Sequence, residues 1–225
     1  DRSPSRGLGD VYKRQVQVIA HWTKITRQLA DDAPALQAFI NARMIYGVNL
    51  AAEDQLLTGD GTSSNLSGIM AAGNYTAQSF QLADIGGAGS TMLDLLRVSF
   101  ATINAAGYRT SAVVLNPVDW AVLQGLKAAD GVYLLGSPAN SFASSSIWGV
   151  RVVESAAMAK GKFLAGDFAR AATVYDRMST VVDIAAQNED DFIKNLYTIR
   201  AERRLALAVE HSNAVIGGAL AVPSA

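Results

Sequence analysis

The spacing of apolar and polar residues changes character after residue 15. The first fifteen residues, DRSPSRGLGDVYKRQ, carry four basic side chains and no regular apolar spacing. Further on, a helical period predicts a helix of about 25 residues that starts after an Asp31 or Asp32 cap, has Pro34 in its first turn and ends at Gly59 and Gly61. The apolar positions that define its covered face are Leu36, Phe39/Ile40, Met44, Gly47, Leu50/Ala51 and Leu57.

The middle of the chain alternates short strands with helices. A second amphipathic helix is predicted from Ser90 or Thr91 to Gly107. A buried strand over 112–115 then leads into a helix with Asn116 as its N-cap and Pro117 at its first position. Further short strands are predicted over 132–135, 147–153, 163–165 and 172–175.

The last part of the chain favours β structure. The segments TVVDIAAQ and FIKNLYTIRAERRLALAVEH flank an acidic turn, NEDD, and predict a long antiparallel hairpin. A helix competes for the second arm, because residues 201–208 have high helix propensity. Together these elements predict an α+β fold of mixed helix and sheet layers.

Composition limits the chemistry that this chain can perform. Half of its 225 residues are apolar, 17% are charged and the formal net charge is −1, as in a compact protein with no strongly charged surface. There is no cysteine, which excludes disulfides and thiolate catalysis. The two histidines, His21 and His211, lack metal-binding spacing, so no metal and no cofactor is expected.

Three loops are candidate sites by composition, and for each a structural explanation is favoured. GDGTSSN lacks the lysine of a phosphate-binding loop and follows a helix, so it is interpreted as a helix exit. Glu189, Asp190 and Asp191 lack calcium-loop spacing and are expected in a solvated turn. The serines of SPANSFASSS have no G-x-S-x-G context and indicate no hydrolase.

A basic cluster near the end of the chain has two interpretations. Arg200, Arg203 and Arg204 could contact a phosphate backbone. Glu202 lies within the cluster and the acidic turn lies close in sequence, so cross-strand or intersubunit salt bridges are favoured. No catalytic site is predicted, and the chain is not expected to be an enzyme.

The order of several blocks resembles one protein family. DDAPALQAFINARMIYGVNLAAEDQLLTGDGTSSNLSGIM, VVLNPVDWAVLQGLKAADGVYLLG, IWGVRVVES, FLAGDFARAATVYDRM and DFIKNLYTIRAERRLALAVEHSNAVIGG resemble the major capsid proteins of tailed bacteriophages, which have the HK97 fold. The resemblance runs from about Val16 to Gly218. It implies a peripheral domain with a long spine helix over 16–61, an axial domain over 62–178 and a return to the peripheral domain over 179–225.

The resemblance also implies an interpretation of residues 1–15. Relatives carry an N-terminal arm and an extended loop before the strand that resembles VQVIAHW. We therefore expect residues 1–15 to be non-native, resembling a translated library adapter joined to a truncated gene. The chain begins with Asp1 and not methionine, which is expected of a processed product or a fragment.

Some members of the family link their subunits covalently, and the resemblance places two of the residues involved. In those relatives a lysine of the extended loop attacks an asparagine on a neighbouring subunit while a glutamate takes the proton. The matching positions here are Asn195 and Glu202, and the glutamate would need a raised pKa to act as a base at neutral pH.

The function that the resemblance implies is structural. The chain is expected to be the repeated tile of a tailed-phage or prophage head, associating with itself into pentamers and hexamers of an icosahedral shell that encloses DNA without reading its sequence. Portal and scaffold or protease proteins are the implied partners, no membrane is involved, and the implied location is the virion capsid, assembled in the bacterial host cytoplasm. An encapsulin-type compartment shell is the alternative, and a small-molecule-binding α/β protein is a more distant one.

Overall fold

The computed structural model describes residues 16–32, 34–80, 91–135 and 145–220, with no side-chain description over 31–37. The segment 1–15 lies outside the described residues. In chain order the elements are β1 (Gln17–Thr26), α1 (Arg27–Asp32), α2 (Pro34–Thr58), β2 (Thr76–Ala77), α3 (Met92–Ala105), β3 (Ala112–Leu115), α4 (Pro117–Gln124), β4 (Ser146–Ile147), β5 (Val150–Glu154), β6 (Lys162–Gly166), α5 (Phe168–Ala171), β7 (Ala172–Ala185), β8 (Leu196–Val209), a short 3-10 helix (Ser212–Ala214) and β9 (Val215–Ala219).

The chain divides into two compact units, and each is built from two separate segments. The first unit takes its described residues from 16–67 and 174–208, and the second from 68–173 and 209–220. The domain boundaries expected from the sequence assign the last segment, 179–225, to the peripheral domain, whereas residues beyond 208 group with the second unit. The chain therefore crosses between the units three times.

In the first unit the long helix α2 packs on β1. The 25-residue helix has the predicted length and ends before Gly59, as expected. Met44, Val48 and Ala52 are buried, and Gly47 faces His21 of β1. This face differs from the predicted one at Phe39, Leu50 and Ala51, which are exposed, because both sides of the helix carry apolar residues and the period alone does not select between them.

The start of α2 also differs from the expectation. Asp31 and Asp32, predicted to cap it, lie within the preceding helix α1. Pro34 begins α2, where its missing amide hydrogen removes no intrahelical bond.

The predicted closing hairpin is present as β7 and β8. The three strands of the first unit are ordered β1-β8-β7, and β8 pairs antiparallel with β1 over ten positions, from Gln17 with Leu205 to Thr26 with Leu196. The second arm is a strand from Leu196 to Val209, and the competing helix over 201–208 does not form. Burial of Ile199, Ala201 and Leu205 against α2 and β1 outweighs the helix propensity of the alanines.

The second unit is built on a six-stranded mixed sheet. Its strand order is β2-β9-β6-β3-β5-β4, with β3 parallel to β5 and β2 parallel to β9. Helix α3 covers the sheet with a continuous apolar side, and α4 adds Trp120 and Leu123 to the same core. The α3 residues buried there are Met92, Leu93, Leu95, Leu96, Phe100 and Ile103.

Local sequence signals predicted the helices of this unit well. Thr91 and Asp94 form a reciprocal capping box at the start of α3, and Gly107 follows the helix with a φ of +86°. The Asn116 side chain accepts a hydrogen bond from the Val118 amide, and Pro117 is the first residue of α4. These elements confirm the predictions made for them.

Three predicted strands are corrected by the structure. Residues 132–135 form no strand; Tyr133 makes a single bridge to Lys127. The predicted strand 147–153 is a two-strand hairpin, β4–β5, because Trp148 and Gly149 turn the chain with positive φ angles. The strand predicted over 172–175 is the beginning of β7, which continues to Ala185, and β9 was not predicted at all.

No helix among the described residues is long and apolar enough to span a membrane.

Candidate functional site

Asn195 lies at the end of the turn between β7 and β8. Its backbone has a φ of +56°, a conformation that asparagine adopts more readily than most residues. Its carbonyl accepts a hydrogen bond of 3.0 Å from the Arg27 amide, and its amide donates to the Phe192 carbonyl at 3.4 Å. The residue is exposed, so its side-chain amide can be reached by a nucleophile from another molecule.

Glu202 lies within β8, opposite Ala20 of β1. Its carboxylate is 3.4 Å from Nε of Arg200, and 23% of its side chain is exposed. The carboxylate is thus partly covered and paired with a guanidinium.

The structure does not bring Asn195 and Glu202 together within one chain. They are seven positions apart along a segment that is extended from Leu196 onward. At about 3.3 Å per residue this places them roughly 23 Å apart. A reaction centre that uses both residue types must therefore draw them from different copies of the chain.

The acidic turn was predicted to be solvated, but only part of it is exposed. Glu189 and Asp190 are exposed, but the side chain of Asp191 is only 1% exposed. Asp191 Oδ1 lies 2.8 Å from Nζ of Lys24 on β1, and its other oxygen accepts a hydrogen bond from the Thr198 hydroxyl. The backbone amide of Leu196 also donates to the Asp191 carbonyl.

This cluster ties the turn to the edge of the sheet. The hydrogen bond from Lys24 and that from Thr198 lower the pKa of the Asp191 carboxyl, against the opposing effect of burial. The same bond to Asp191 raises the pKa of Lys24. Lys24 and Asp191 are far apart in sequence, so no local pattern could have revealed the pair.

The basic cluster on β8 is largely neutralised by acidic neighbours. Arg203 contacts Asp176 of β7 at 2.6 Å, and Arg200 contacts Asp183 at 3.5 Å. The later arginine on β8 contacts the earlier aspartate on β7, so the two strands run in opposite directions. The favoured interpretation, cross-strand salt bridges, is confirmed for these two arginines, while Arg204 is exposed.

The glycine-rich loop after α2 is closed by its own side chains. Asp60 accepts hydrogen bonds from the amide and hydroxyl of Thr62 and from the side chain of Asn65, which lower its pKa to about 2. Gly61 provides a positive φ of +73°. The loop is a helix exit, as interpreted from the sequence, and its carboxylate disfavours an anion at this position.

The histidines have separate surroundings. His21 is exposed beside Gly47, and His211 is exposed with its ring 6.0 Å from that of Tyr108. Within the described ranges no group of histidine and acidic side chains could hold a metal ion.

One further surface, in the second unit, was not predicted from the sequence. Trp148 is half exposed, with its ring 6.1 Å from that of Phe100 and 5.6 Å from the Arg97 guanidinium. These three residues line a shallow cavity with Arg109 and Thr110. The signal was available in the pair Trp148–Gly149, since a glycine after a β-favouring run marks a turn.

The sequence model of the phage capsid family matches residues 10–219 of the chain. The chain belongs to the phage capsid family. The family is structural and not enzymatic, in agreement with the expectation that the chain is not an enzyme. The matched range begins within the first fifteen residues, slightly before the resemblance recognised in the sequence.

The similarity of this capsid-family chain to a curated relative is high. It is 40% identical over 203 residues to the major capsid protein of Enterobacteria phage HK97, a match that covers 90% of this chain and 51% of the relative. The chain therefore spans about half the length of the curated relative that it matches.

Solved capsid structures share the fold. The capsid of an empty GTA particle has a TM-score of 0.74 at 18% identity, covering 93% of this chain and 74% of that one. A structure from Gordonia phage Cozz has a TM-score of 0.72 at 16% identity, covering 93% and 71%. At such identities the likeness establishes the fold, and it confirms the α+β capsid fold expected from the sequence.

Proposed function

We propose that this chain is the shell-forming part of a major capsid protein, the repeated tile of a tailed-phage or prophage head. The observation that carries the proposal is the 40% identity to the HK97 major capsid protein over 90% of the chain. Copies would associate into pentamers and hexamers of an icosahedral shell that encloses DNA, and the protein would reside in the virion capsid after assembly in the bacterial cytoplasm. Portal and scaffold or protease proteins would be its partners.

The architecture of the first unit suits such a role. A helix of 25 residues is about 37 Å long, and it lies against a sheet whose strands reach 14 residues. Salt bridges between β7 and β8, together with the Lys24–Asp191 pair, hold the hairpin in a fixed shape. A unit held by these contacts would be suited to passing contacts on to neighbouring copies.

The test uses a chimaera and the electron microscope. The part of the HK97 protein that precedes the aligned region is joined in frame before Val16, and the product is purified from bacteria. We expect closed particles of uniform diameter from the chimaera and open or irregular assemblies from the present chain, because closed shells need every class of contact. A chimaera that remains monomeric at high concentration would contradict the proposed function.

We further propose that Asn195 and Glu202 take part in covalent linking of the shell. A lysine amine from one copy would attack the Asn195 side-chain carbonyl carbon, and Glu202 of another copy would accept a proton from the amine. Glu202 would then pass this proton to the amide nitrogen, so that the C–N bond of the side-chain amide breaks and ammonia leaves. The exposure of Asn195 and the distance between the two residues support a centre shared among copies.

The linking proposal is tested in the same chimaera. Denaturing gels should show a ladder of linked subunits, and Asn195→Asp and Glu202→Gln should each abolish it while particles still form. Ser179→Ala, an exposed change on β7, is the matched control and should leave the ladder intact. A ladder that survives both site changes would contradict the roles assigned to these residues.

A further inference from the structure

The turn between β4 and β5 contains a tryptophan, Trp148, at a position where tryptophan is rarely found. Trp148 and Gly149 occupy its two central positions with φ angles of 49° and 79°. Such turns prefer asparagine, aspartate or glycine at the first position, because a bulky side chain is strained at positive φ. Strained residues of this kind cluster at functional sites, where the side chain has a role beyond the fold.

The indole of Trp148 is held in place and remains accessible. Phe100 contacts it edge-on at 6.1 Å between ring centroids, and the Arg97 guanidinium lies 5.6 Å from its centre. Even so, 51% of the residue is exposed. Two neighbours therefore fix its orientation while half of its surface stays free for a ligand.

The surroundings of the indole are positively charged and rich in donors. The Trp148 surface, defined as Arg97, Phe100, Arg109, Thr110 and Trp148, lines a cavity of about 220 Å³. Arg109 is exposed and makes no ion pair among the described residues. The Thr110 hydroxyl is buried without a hydrogen-bond partner in that part of the chain. Such a surface suits a carboxylate next to an apolar side chain.

A loop of the second unit has the complementary chemistry. The Asp130 loop, residues 126–134, is closed by bonds from the Ala128 amide to the Val132 carbonyl at 2.8 Å and from the Leu134 amide to the Leu126 carbonyl at 2.9 Å. Gly131 turns the chain with a φ of +84°. The loop exposes Asp130, with Val132 62% and Leu134 45% exposed.

We propose that the Asp130 loop of one copy docks on the Trp148 surface of a second copy. The Asp130 carboxylate would pair with Arg109 and Arg97, and Val132 would cover the free side of the indole. Because the two surfaces differ, the contact is head-to-tail and can close into a ring. The inference rests on the proposed function, since it supplies one contact that a shell tile needs.

A nucleic acid is a weaker candidate for the same surface. The chain has a net charge of −1, whereas proteins that coat nucleic acid neutralise many phosphates with clustered basic residues. The apolar residues exposed on the Asp130 loop also have no counterpart on a phosphate backbone. The second copy is therefore the occupant that both charge and apolar surface favour.

The absence of cysteine allows a direct test. One preparation carries Val132→Cys and another carries Asn104→Cys, at the rim of the Trp148 surface. After mixing and mild oxidation, mass spectrometry should show at least tenfold more mixed disulfide dimer than a control mixture in which Lys160→Cys, exposed in the same unit, replaces Asn104→Cys. Equal yields in the two mixtures would overturn the inference.

Charge exchange tests the pairing itself. Arg109→Glu in one preparation, or Asp130→Arg in the other, should lower the mixed dimer to the control level, and combining the two changes should restore it. Trp148→Asn, which suits the turn, should keep the melting temperature within a few degrees and yet lower the yield at least tenfold. A yield unaffected by Asp130→Arg, or a duplex oligonucleotide that binds through Arg109 with no association of copies, would overturn the inference.

The particle experiment separates the two proposals. Uniform particles from the chimaera without the disulfide between positions 104 and 132 would overturn this contact and leave the proposed function standing. A chimaera that fails to associate under any condition would overturn the proposed function itself.

Discussion

At the scale of single residues, two different requirements could explain the asparagine at position 195. The chemistry of linking needs a side-chain amide, and the backbone needs a residue that tolerates a φ of +56°. The two requirements predict different tolerance to substitution, so they can be measured independently.

Asn195→Gly should leave stability within about 0.5 kcal/mol of the parent, because glycine adopts positive φ freely. Asn195→Val should lower the free energy of unfolding by about 1–2 kcal/mol, since a β-branched residue is strained there. Urea titration monitored by circular dichroism measures both. Equal stabilities for the two variants would show that the backbone requirement at this turn is weak.

Gly47 offers a second test at the residue scale. A Cβ built there would lie 3.4 Å from Cδ2 of His21, which is ordinary contact distance. Gly47→Ala should therefore stabilise the chain by up to about 1 kcal/mol through its higher helix propensity. Gly47→Leu should instead destabilise it by about 1–3 kcal/mol, because the larger side chain must displace β1.

Thermal and urea unfolding of both Gly47 variants provides the measurement. Ala51→Leu, on an exposed position of the same helix, controls for general effects of substitution. If Gly47→Leu were as stable as the parent, the contact between α2 and β1 would have more space than the structure describes.

At the scale of elements, the β7–β8 turn depends on the ion pair between Lys24 and Asp191. A carboxyl whose folded pKa is lowered stabilises the fold above its ordinary pKa of 3.8, and this contribution is lost as the pH falls through the lower folded value. The raised pKa of Lys24 works at the other end, so its contribution is present below 10.5 and is lost at higher pH.

Asp191→Asn should therefore lower stability clearly at pH 7 and progressively less as the pH falls below about 4. Asp190→Asn, at the exposed neighbour, should change little at any pH. Urea midpoints at pH 7, 5, 4 and 3 supply the comparison. A difference between Asp191→Asn and the parent that stays constant down to pH 3 would contradict the ion-pair account.

The elements that could be predicted are those with signals inside the element. Pro34 and Gly59 bracket α2, and Asn116 with Pro117 starts α4, so each of these helices is specified locally. The β4–β5 turn was not predicted, because it contains Trp148 and tryptophan favours strands. The order of strands in the six-stranded sheet could not be predicted, because all of its pairings except β4 with β5 join distant segments.

Some features of the candidate site could be predicted from the sequence, and others could not. Asn195 and Glu202 were assigned through the resemblance. Salt bridges of the arginine cluster were predicted from Glu202 within it and the acidic turn nearby, but the partners of Arg203 and Arg200 are Asp176 and Asp183 on β7. The burial of Asp191 depends on a lysine at the other end of the chain, and the Trp148 surface depends on α3 meeting a distant hairpin. Both required the three-dimensional structure.

At the scale of the whole molecule, each unit needs a segment from the end of the chain. In the second unit β9 lies between β2 and β6, and Val215 and Ile216 are buried. A stop codon after Glu210 removes β9 and leaves the hydrogen-bonding edge of β6 without its partner.

Truncation after Glu210 should abolish the folding of the second unit, while truncation after Leu220, which retains β9, should preserve it. Limited proteolysis followed by mass spectrometry distinguishes the outcomes, since cleavage over 91–135 should become rapid only in the shorter chain. A shorter chain that resists proteolysis across this range would show that β9 is dispensable.

The position of β8 in the middle of its sheet has a consequence for biosynthesis. The partners of Gln17 and Thr26, which are Leu205 and Leu196, are translated 170 or more residues later. At about 5–20 residues per second, β1 and α2 wait on the order of ten seconds or more for the strand that completes their unit. A nascent chain on a polysome therefore has no finished sheet to offer to its neighbours until β8 has been translated.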